Sequence, residues 1–434
     1  MSLSFVEIQN KVRKISITFI LFLSLCGGLS AQEVNENHLH KSEIEQLFLT
    51  HNLRLMAQRF QIKQADAAIL QAKLWPNPTI AISEVNLWKN PSSESFPALI
   101  GKYGKYQQVA MELEQTIEIA GKRKKRIQFQ QLEKENAQLQ FEELLRNLKY
   151  DLRSQVLELQ LLQEKECLYS SQVDVFEKLS QSYLNQWKAG NVSEMDYLRI
   201  RSEARAFNNR LNEIQQQKIA KKNEVARYLG TAGRELYVVD SIGTPAFIQP
   251  RPKEWKMMAL ENRSDYKIIH NEFKKGKAQL EIEKAGRIPD LQVSINYDRG
   301  GNIMRDFVGL GVAVDLPLFN RNQGNIRIAS LELEKNKVEM EQFRLDIVRE
   351  VDFLTSRLVH LESSLKSGDT EFDHKLDVAL ERYVRNFQQR RLTLVEFIDF
   401  INNYMENKEA ILERKTKYLQ YKEELIYLIG KDIA

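Results

Sequence analysis

The chain has 434 residues, 43% of them hydrophobic and 28% charged, which permits a packed core and excludes general disorder. Only 18 Gly and 9 Pro are spread over that length, too few for a turn-rich all-β protein, so long helices are the default. Lys plus Arg number 63 against 59 Asp plus Glu, and without residues 1–31 the balance is 60 against 58, so no acidic or nucleic-acid partner is implied.

In chain order, the first predicted element is a secretory signal over residues 1–31. Lys11, Arg13 and Lys14 form a basic patch, Ile15 to Leu25 an apolar run, and Leu29-Ser30-Ala31 a cleavage site before Gln32. The run is too short to span a bilayer. Cys26 raises lipidation, but Leu25 is bulky where a lipobox wants a small residue. Cleavage after Ala31 leaves Cys167 as the sole cysteine, so no intramolecular disulfide can form. No later stretch approaches the roughly 18–20 consecutive apolar residues of a membrane helix. If this protein enters a membrane, it does so by another route.

The remainder repeats itself. Trp75-Pro76-Asn77-Pro78 corresponds to Ile288-Pro289-Asp290-Leu291, Tyr183 to Tyr383, Ser193 to Thr393, Tyr197 to Phe397 and Gly230 to Gly430. The offset falls from about 213 to about 200 residues, so a connection in the first half is longer. The extra length lies between Leu87 and Tyr106, where Pro91, Ser92, Ser93, Ser95 and Pro97 read as a loop. The first repeat is expected over 32–230, a connector with some extended structure over 231–253, and the second repeat over 254–434. Each opens with a helix (Lys41 to Lys73; Glu254 to Ala285). Two strands follow, then a very long helix (Lys122 to Lys188; Asn325 to Gln388) and a medium helix (Glu194 to Leu229; Leu394 to Ile429).

The long helices carry apolar residues at steps of three and four. One stripe is Phe141, Leu145, Leu148, Leu152, Val156, Leu159 and Leu162; the other is Leu345, Val348, Val351, Leu354, Leu358, Leu361 and Leu365. This is coiled-coil patterning, equally open to reading as a solvated helical bundle. At about 1.5 Å per residue the first long helix spans about 100 Å, and two half-length helices stacked end to end would match it. That arithmetic suits a tube wall better than a globule.

The strands alternate. Val109, Met111, Leu113 and Ile117 interleave with Gln108, Ala110, Glu112, Glu114 and Thr116; the third and fourth strands, near 291–298 and 307–316, behave alike, and the first, Thr79 to Trp88, is the least regular. Such segments fit a lipid-facing barrel wall with a wet interior, and fit a half-buried sheet packed on helices as well. Four strands cannot close a barrel, and lipid tolerates no open sheet edge. A membrane reading therefore requires several copies, and three would supply about twelve strands.

Between long and medium helices lie two short turns, Ala189 to Tyr197 and Gln389 to Asp399. Gly190 suits a helix C-terminus, and Ser193 and Thr393 suit N-caps. Arg390 stands where the first half has Gly190, which leaves the shape of the second turn open. Other candidates are weak. His38, His40, His51, His270, His360 and His374 include no pair at helical ligand spacing, so no metal or cofactor site is expected. The run Lys122-Arg123-Lys124-Lys125-Arg126 reads as a solvated helix start or a contact to lipid phosphates. No nucleophile with a base and no paired-carboxylate site appears, so no enzyme is expected.

Two motifs carry a resemblance. Leu113-Glu114-Gln115-Thr116-Ile117-Glu118-Ile119-Ala120-Gly121-Lys122-Arg123 and Val314-Asp315-Leu316-Pro317-Leu318-Phe319-Asn320-Arg321-Asn322-Gln323-Gly324 resemble strand-to-helix exits of the TolC family of outer-membrane efflux proteins, most like its CzcC and CusC heavy-metal branch. Thr116 replaces the family's frequent proline. The resemblance covers nearly all of the mature chain. It implies a homotrimer with a twelve-stranded outer-membrane β-barrel and a periplasmic helical tunnel. A periplasmic adaptor and an inner-membrane pump are its implied partners. The chain is then a conduit in outer-membrane lipid with no chemistry of its own.

The resemblance places Asp196, Glu396 and Asp399 on the acids that narrow the tunnel mouth. Gly190, Asn191, Val192, Ser193, Arg391, Leu392 and Thr393 fall in the turns that meet the adaptor. Three copies of such carboxylates would repel one another, raise their pKa values and favour cations. Glu112, Glu114 and Asp315 are candidates for the barrel lumen, and metal cations are the expected cargo. The competing readings are a soluble periplasmic coiled-coil adaptor, which predicts one hairpin flanked by compact β domains, and a secreted structural coiled coil, which leaves the strands unexplained.

Overall fold

The structure is a computed structural model that describes residues 37–86, 88, 95–230, 236–243, 245–300, 304–366 and 369–433. The expected signal at 1–31 with Cys26, and Leu87, Pro91, Ser92 and Ser93 of the expected loop, lie outside the described residues.

The opening helix of the first half is two helices, α1 (Lys41–His51) and α2 (Leu53–Lys73), rather than one. Asn52 separates them in an extended conformation. Its Oδ1 accepts from the Arg54 and Leu55 amides at 3.0 and 3.1 Å, and its Nδ2 donates to the Tyr228 carbonyl at 2.8 Å. A short amide side chain that satisfies orphan helix donors competes with helix continuation, and here it wins. The second half breaks at the equivalent place. Arg263 divides α5 (Pro252–Asn262) from α6 (Ser264–Ala285), its guanidinium held by Asp265 at 2.7 Å and Glu350 at 2.6 Å.

The long helix α3 (Lys122–Lys188) runs unbroken for 67 residues and is followed by α4 (Glu194–Leu229). In the second half the corresponding length holds the described helices α7 (Gln323–Lys366) and α8 (Asp369–Gln388), and α9 (Leu394–Ile429) follows. Burial follows the apolar steps closely on α3, where Leu148, Leu152, Val156 and Leu159 are enclosed with Val225 and Leu229 of α4 and with Ile44 and Phe48 of α1. On α7 the stripe is displaced at its start. Ile347, Val351, Leu354 and Leu358 are buried, while Leu345 is exposed. A third cluster joins Phe176 of α3, Ile200 and Phe207 of α4 and Phe397 and Ile401 of α9 near the helix ends remote from the strands.

Four strands form one antiparallel sheet in the order β2 (Thr79–Ser83), β3 (Ala110–Ile117), β5 (Leu291–Asp298), β6 (Phe307–Val314). A separate parallel pair joins β1 (Asn37–Leu39) to β4 (Leu236–Val238), so the connector ties back to the start of the described chain. β2 ends at Ser83 instead of continuing to Trp88. Glu84 adopts a left-handed φ of 55°, which ends a ladder, and Gln108 hydrogen-bonds its carboxylate.

Candidate functional site

Directly paired residues of an antiparallel sheet share a face, so the register sorts the side chains. One face carries Ile80 and Ile82 of β2, Met111, Leu113 and Ile117 of β3, Leu291, Val293, Ile295 and Tyr297 of β5, and Val308, Leu310, Val312 and Val314 of β6, with Gln115 among them. The other presents Thr79, Ala81, Glu112, Glu114, Thr116, Gln292, Ser294, Asn296, Asp298, Gly309, Gly311 and Ala313. A sheet packed on helices would cover its apolar face. This one is bare: Leu310 is 81% exposed, Ile80 70% and Val312 69%. At roughly 1.5–3 kcal/mol per side chain moved from water into an apolar phase, that face outweighs the usual 5–15 kcal/mol stability of a domain.

Among the described residues both lateral margins are open, since β2 and β6 each pair on one side only. Eight residues reach about 26 Å along a strand, close to the roughly 25 Å apolar band of a membrane barrel. At the helix end of the sheet Leu316, Leu318, Phe319 and Trp75 remain exposed, as an interfacial girdle requires. The basic run beside them is largely neutralised within the chain. Lys122 meets Asp290 at 2.8 Å, Lys125 meets Glu281 at 3.4 Å, Arg126 forks onto Glu118 at 2.5 Å, and Arg123 stacks 3.9 Å above Trp75. Glu112 and Glu114 lie on the polar face. Asp315 is exposed and follows the last paired residue of β6, so the register does not assign it to a face.

The two turns at the far helix ends adopt the same closed shape. In the first, Gly190 is left-handed at φ 75°, its amide donates to the Trp187 carbonyl at 2.9 Å, and the Asn191 amide reaches Gln186 at 2.8 Å. In the second, Arg390 takes φ 58°, donating to Phe387 at 2.9 Å, and Arg391 reaches Asn386 at 2.9 Å. The paired backbone bonds hold Arg390 where a glycine is preferred. Each turn is braced by stacked rings, Trp187 on Tyr197 at 5.3 Å and Phe387 on Phe397 at 4.2 Å.

The acids differ in their bonding. Ser193 Oγ accepts from the Asp196 amide at 3.0 Å and donates to its carboxylate at 2.7 Å. Thr393 and Glu396 form a reciprocal capping box, with the Thr393 amide and hydroxyl each 2.8 Å from Glu396 Oε2. Those bonds hold the Glu396 carboxyl below its ordinary value. Asp399 is exposed, and among the described residues no hydrogen bond or ion pair reaches its carboxylate. Gly190, Asn191, Arg391 and the two cap residues are exposed, while Val192 and Leu392 are half-buried. Met195 and Val395, at equivalent positions, add bare apolar side chains of 71% and 53% exposure. Among the described residues no group of three or more His, Cys, Asp or Glu is placed to hold a metal ion.

A family model described as outer membrane efflux protein matches residues 45–231. The cobalt-zinc-cadmium resistance protein CzcC of Cupriavidus metallidurans is 24% identical over 312 residues, 71% of this chain and 70% of that protein. Over residues 45–231 the chain is thus similar to the outer membrane efflux proteins. Two solved structures share the fold. CusC superposes with a TM-score of 0.70 at 14% identity, covering 92% of this chain and 94% of CusC. The CmeC outer membrane channel of Campylobacter jejuni gives 0.73 at 12%, covering 90% and 85%.

The helical part also carries a polar cluster that apolar spacing did not single out. Glu409 of α9 accepts from Lys165 Nζ at 2.7 Å and the Tyr169 hydroxyl at 2.7 Å, both on α3, and from Arg210 of α4 at 2.9 Å. Burial works against the charge, but these donors prevail and draw the carboxyl down to about 2, while burial pushes Tyr169 up to about 12. A sequence signal exists. Glu409 follows Ile401 and Met405 at steps of four, an acid in phase with a buried stripe. Higher up, Arg153 joins Glu45 at 2.5 Å to Glu423 and Asp432 at 3.0 Å, tying α3 to α1, to α9 and to the residues after α9.

Proposed function

We propose that the protein is the outer-membrane exit duct of a tripartite efflux system. It is a passive conduit whose strands lie in the bilayer and whose helices extend into the periplasm. The observation that carries this reading is the bare apolar face of a four-stranded sheet with two unpaired margins. In hydrocarbon every backbone donor and acceptor needs a partner, so β6 of one copy must pair with β2 of the next. Three copies close a barrel of about twelve strands, wide enough for a passage. The same closure sets α2 of one copy beside α7 of its neighbour. Both are supplied for it, with Leu53 and Phe60 exposed on α2 and Ile328 and Val338 on α7.

The two repeats, 32–230 and 254–434 about the connector 231–253, each supply one hairpin of the wall and one of the tip. Glu112 and Glu114 face the bore, with Asp315 at its helix-side rim. The turns at Gly190–Ser193 and Arg391–Thr393, with Met195 and Val395, form the surface offered to the adaptor. Of the three tip acids, Asp196 and Glu396 are bonded to the helix caps Ser193 and Thr393, and Asp399 is the one left to repel its copies or to draw cations. The similarity to CzcC, a cobalt-zinc-cadmium resistance protein, favours divalent metal ions as cargo, delivered by an inner-membrane pump.

The purified protein should require detergent, behave as a trimer and form conducting pores in planar bilayers. A stable monomer in plain buffer would overturn the reading. Replacing Asp399 by Ala should change single-channel conductance or cation preference, and a trace equal to wild type removes its gating role. A deletion strain challenged with divalent metals, bile salts and antibiotics identifies the cargo.

A further inference from the structure

The connection between β2 and β3 does not follow the polar face of the sheet. Its stretch from Ser95 to Gln108 closes on itself through Phe96 N–H to the Lys105 carbonyl at 2.8 Å and Leu99 N–H to the Tyr103 carbonyl at 2.8 Å. Beneath it lie Val109 and Arg299, 6% and 5% exposed. The Arg299 amide donates to the Val109 carbonyl at 3.1 Å, continuing the β3–β5 register. That register puts both residues on the apolar side, in line with Met111 and Tyr297. The segment is therefore a flap on the outside of the wall, at the end of the sheet remote from the helices. It covers the two central strands and leaves the margins free.

Arg299 is the anomaly beneath this flap. Its guanidinium gives one hydrogen bond to the Pro97 carbonyl, lies 5.4 Å from the Phe96 ring, and leaves Nη1 buried without any partner. Among the described residues no carboxylate pairs with it. The acids nearest in chain are engaged elsewhere: Asp298 takes Gln108 and the Gly300 amide, Asp306 takes the Tyr297 hydroxyl at 2.7 Å, and Glu84 takes Gln108. A buried charge without a counter-ion is costly. Gly104 lies directly over it, since a Cβ there would be 3.1 Å from Nη1, and Lys102 and Lys105 flank that glycine, both exposed and without an ion pair among the described residues. Beside them Leu99 and Ile100 are 53% and 81% exposed. Ammonium groups next to bare aliphatic side chains, over an uncompensated guanidinium, match a ligand with an anionic head and apolar tails.

We propose that this flap binds an outer-leaflet lipid carrying phosphate on its headgroup, with Lys102 and Lys105 on the phosphate, Arg299 supplying unscreened positive potential beneath, and Leu99 and Ile100 among the acyl chains. The assignment rests on the channel reading, which places this end of the sheet at the outer leaflet. Native mass spectrometry of the detergent-solubilised protein with bisphosphorylated lipid A tests it. Wild type should retain lipid A. The double variant Lys102→Gln/Lys105→Gln should bind it about 30-fold more weakly, at about fivefold per lysine, with unchanged single-channel conductance. Fully dephosphorylated lipid A should be lost from wild type, and millimolar inorganic phosphate should not displace the lipid. Equal retention by the double variant, equal retention of dephosphorylated lipid A, or displacement by phosphate alone would each overturn the proposal. A wild-type protein that fails to conduct at all sinks the channel reading first, whereas a conducting channel indifferent to the phosphate sinks only this one.

Discussion

Neutralising Glu409 isolates the polar clamp that joins α9 to α3 and α4. Its carboxyl sits at about 2 against an ordinary 4.5, held there by Lys165, Tyr169 and Arg210 against the cost of burial. At about 1.36 kcal/mol per pKa unit the shift corresponds to roughly 3.4 kcal/mol, which solvent around the partly open cluster screens to about 1–2 kcal/mol. A depressed carboxyl contributes stability that is fully present above pH 4.5 and is lost as pH falls through about 2. In Glu409→Gln, amides of α9 between Tyr404 and Glu413 should therefore exchange about 5–30-fold faster than in wild type at pH 7, the factor equivalent to that energy. The difference should close at pH 2. Equal protection at pH 7, or a gap that persists undiminished at pH 2, refutes the charge-based account. Lys165 keeps a second acid, Glu413 at 2.6 Å, so the variant does not strand the ammonium.

Five other substitutions test three separate links. Arg390→Gly should stabilise the second turn by about 0.5–1 kcal/mol, because glycine adopts positive φ without the Cβ penalty, and Gly190→Arg should cost about as much; thermal melts that leave both unmoved contradict the backbone argument. Leu310→Arg, on the bare face, should impede folding into liposomes by about 2–4 kcal/mol near the bilayer midplane, whereas Asn296→Arg on the opposite face should fold normally; the reverse ranking would exchange the lipid and bore faces. Asn52→Ala removes the N-cap of α2 and should lower stability by about 1 kcal/mol in denaturant melts, with no change expected if the break between α1 and α2 is set by packing alone.

Local chemistry made most of the element boundaries legible. Lys122–Lys188, Glu194–Leu229 and Leu394–Ile429 were legible from long helical stretches bounded by Gly190, Ser193, Thr393, Gly230 and Gly430, and three of the four strands from alternation. The break at Asn52 was not legible, because Asn is tolerated within helices as well as at their caps, and only its bonds to Arg54, Leu55 and Tyr228 decide between them. The early end of β2 escaped for the same reason, since Glu84 gives no local sign of a left-handed backbone.

The sequence by itself determined two faces on every strand, apolar and polar, because side chains alternate with period two whatever surrounds them. It could not say whether helices or oil cover the apolar one, since both environments select the same residues. The tertiary structure decided that, by leaving Ile80, Leu310 and Val312 uncovered and the β2 and β6 margins unpaired. It likewise decided the shape of the second tip turn, where two backbone hydrogen bonds hold Arg390 in a conformation its own side chain disfavours. Alternation is a property of one segment of chain, but burial and partnership depend on what else arrives in space.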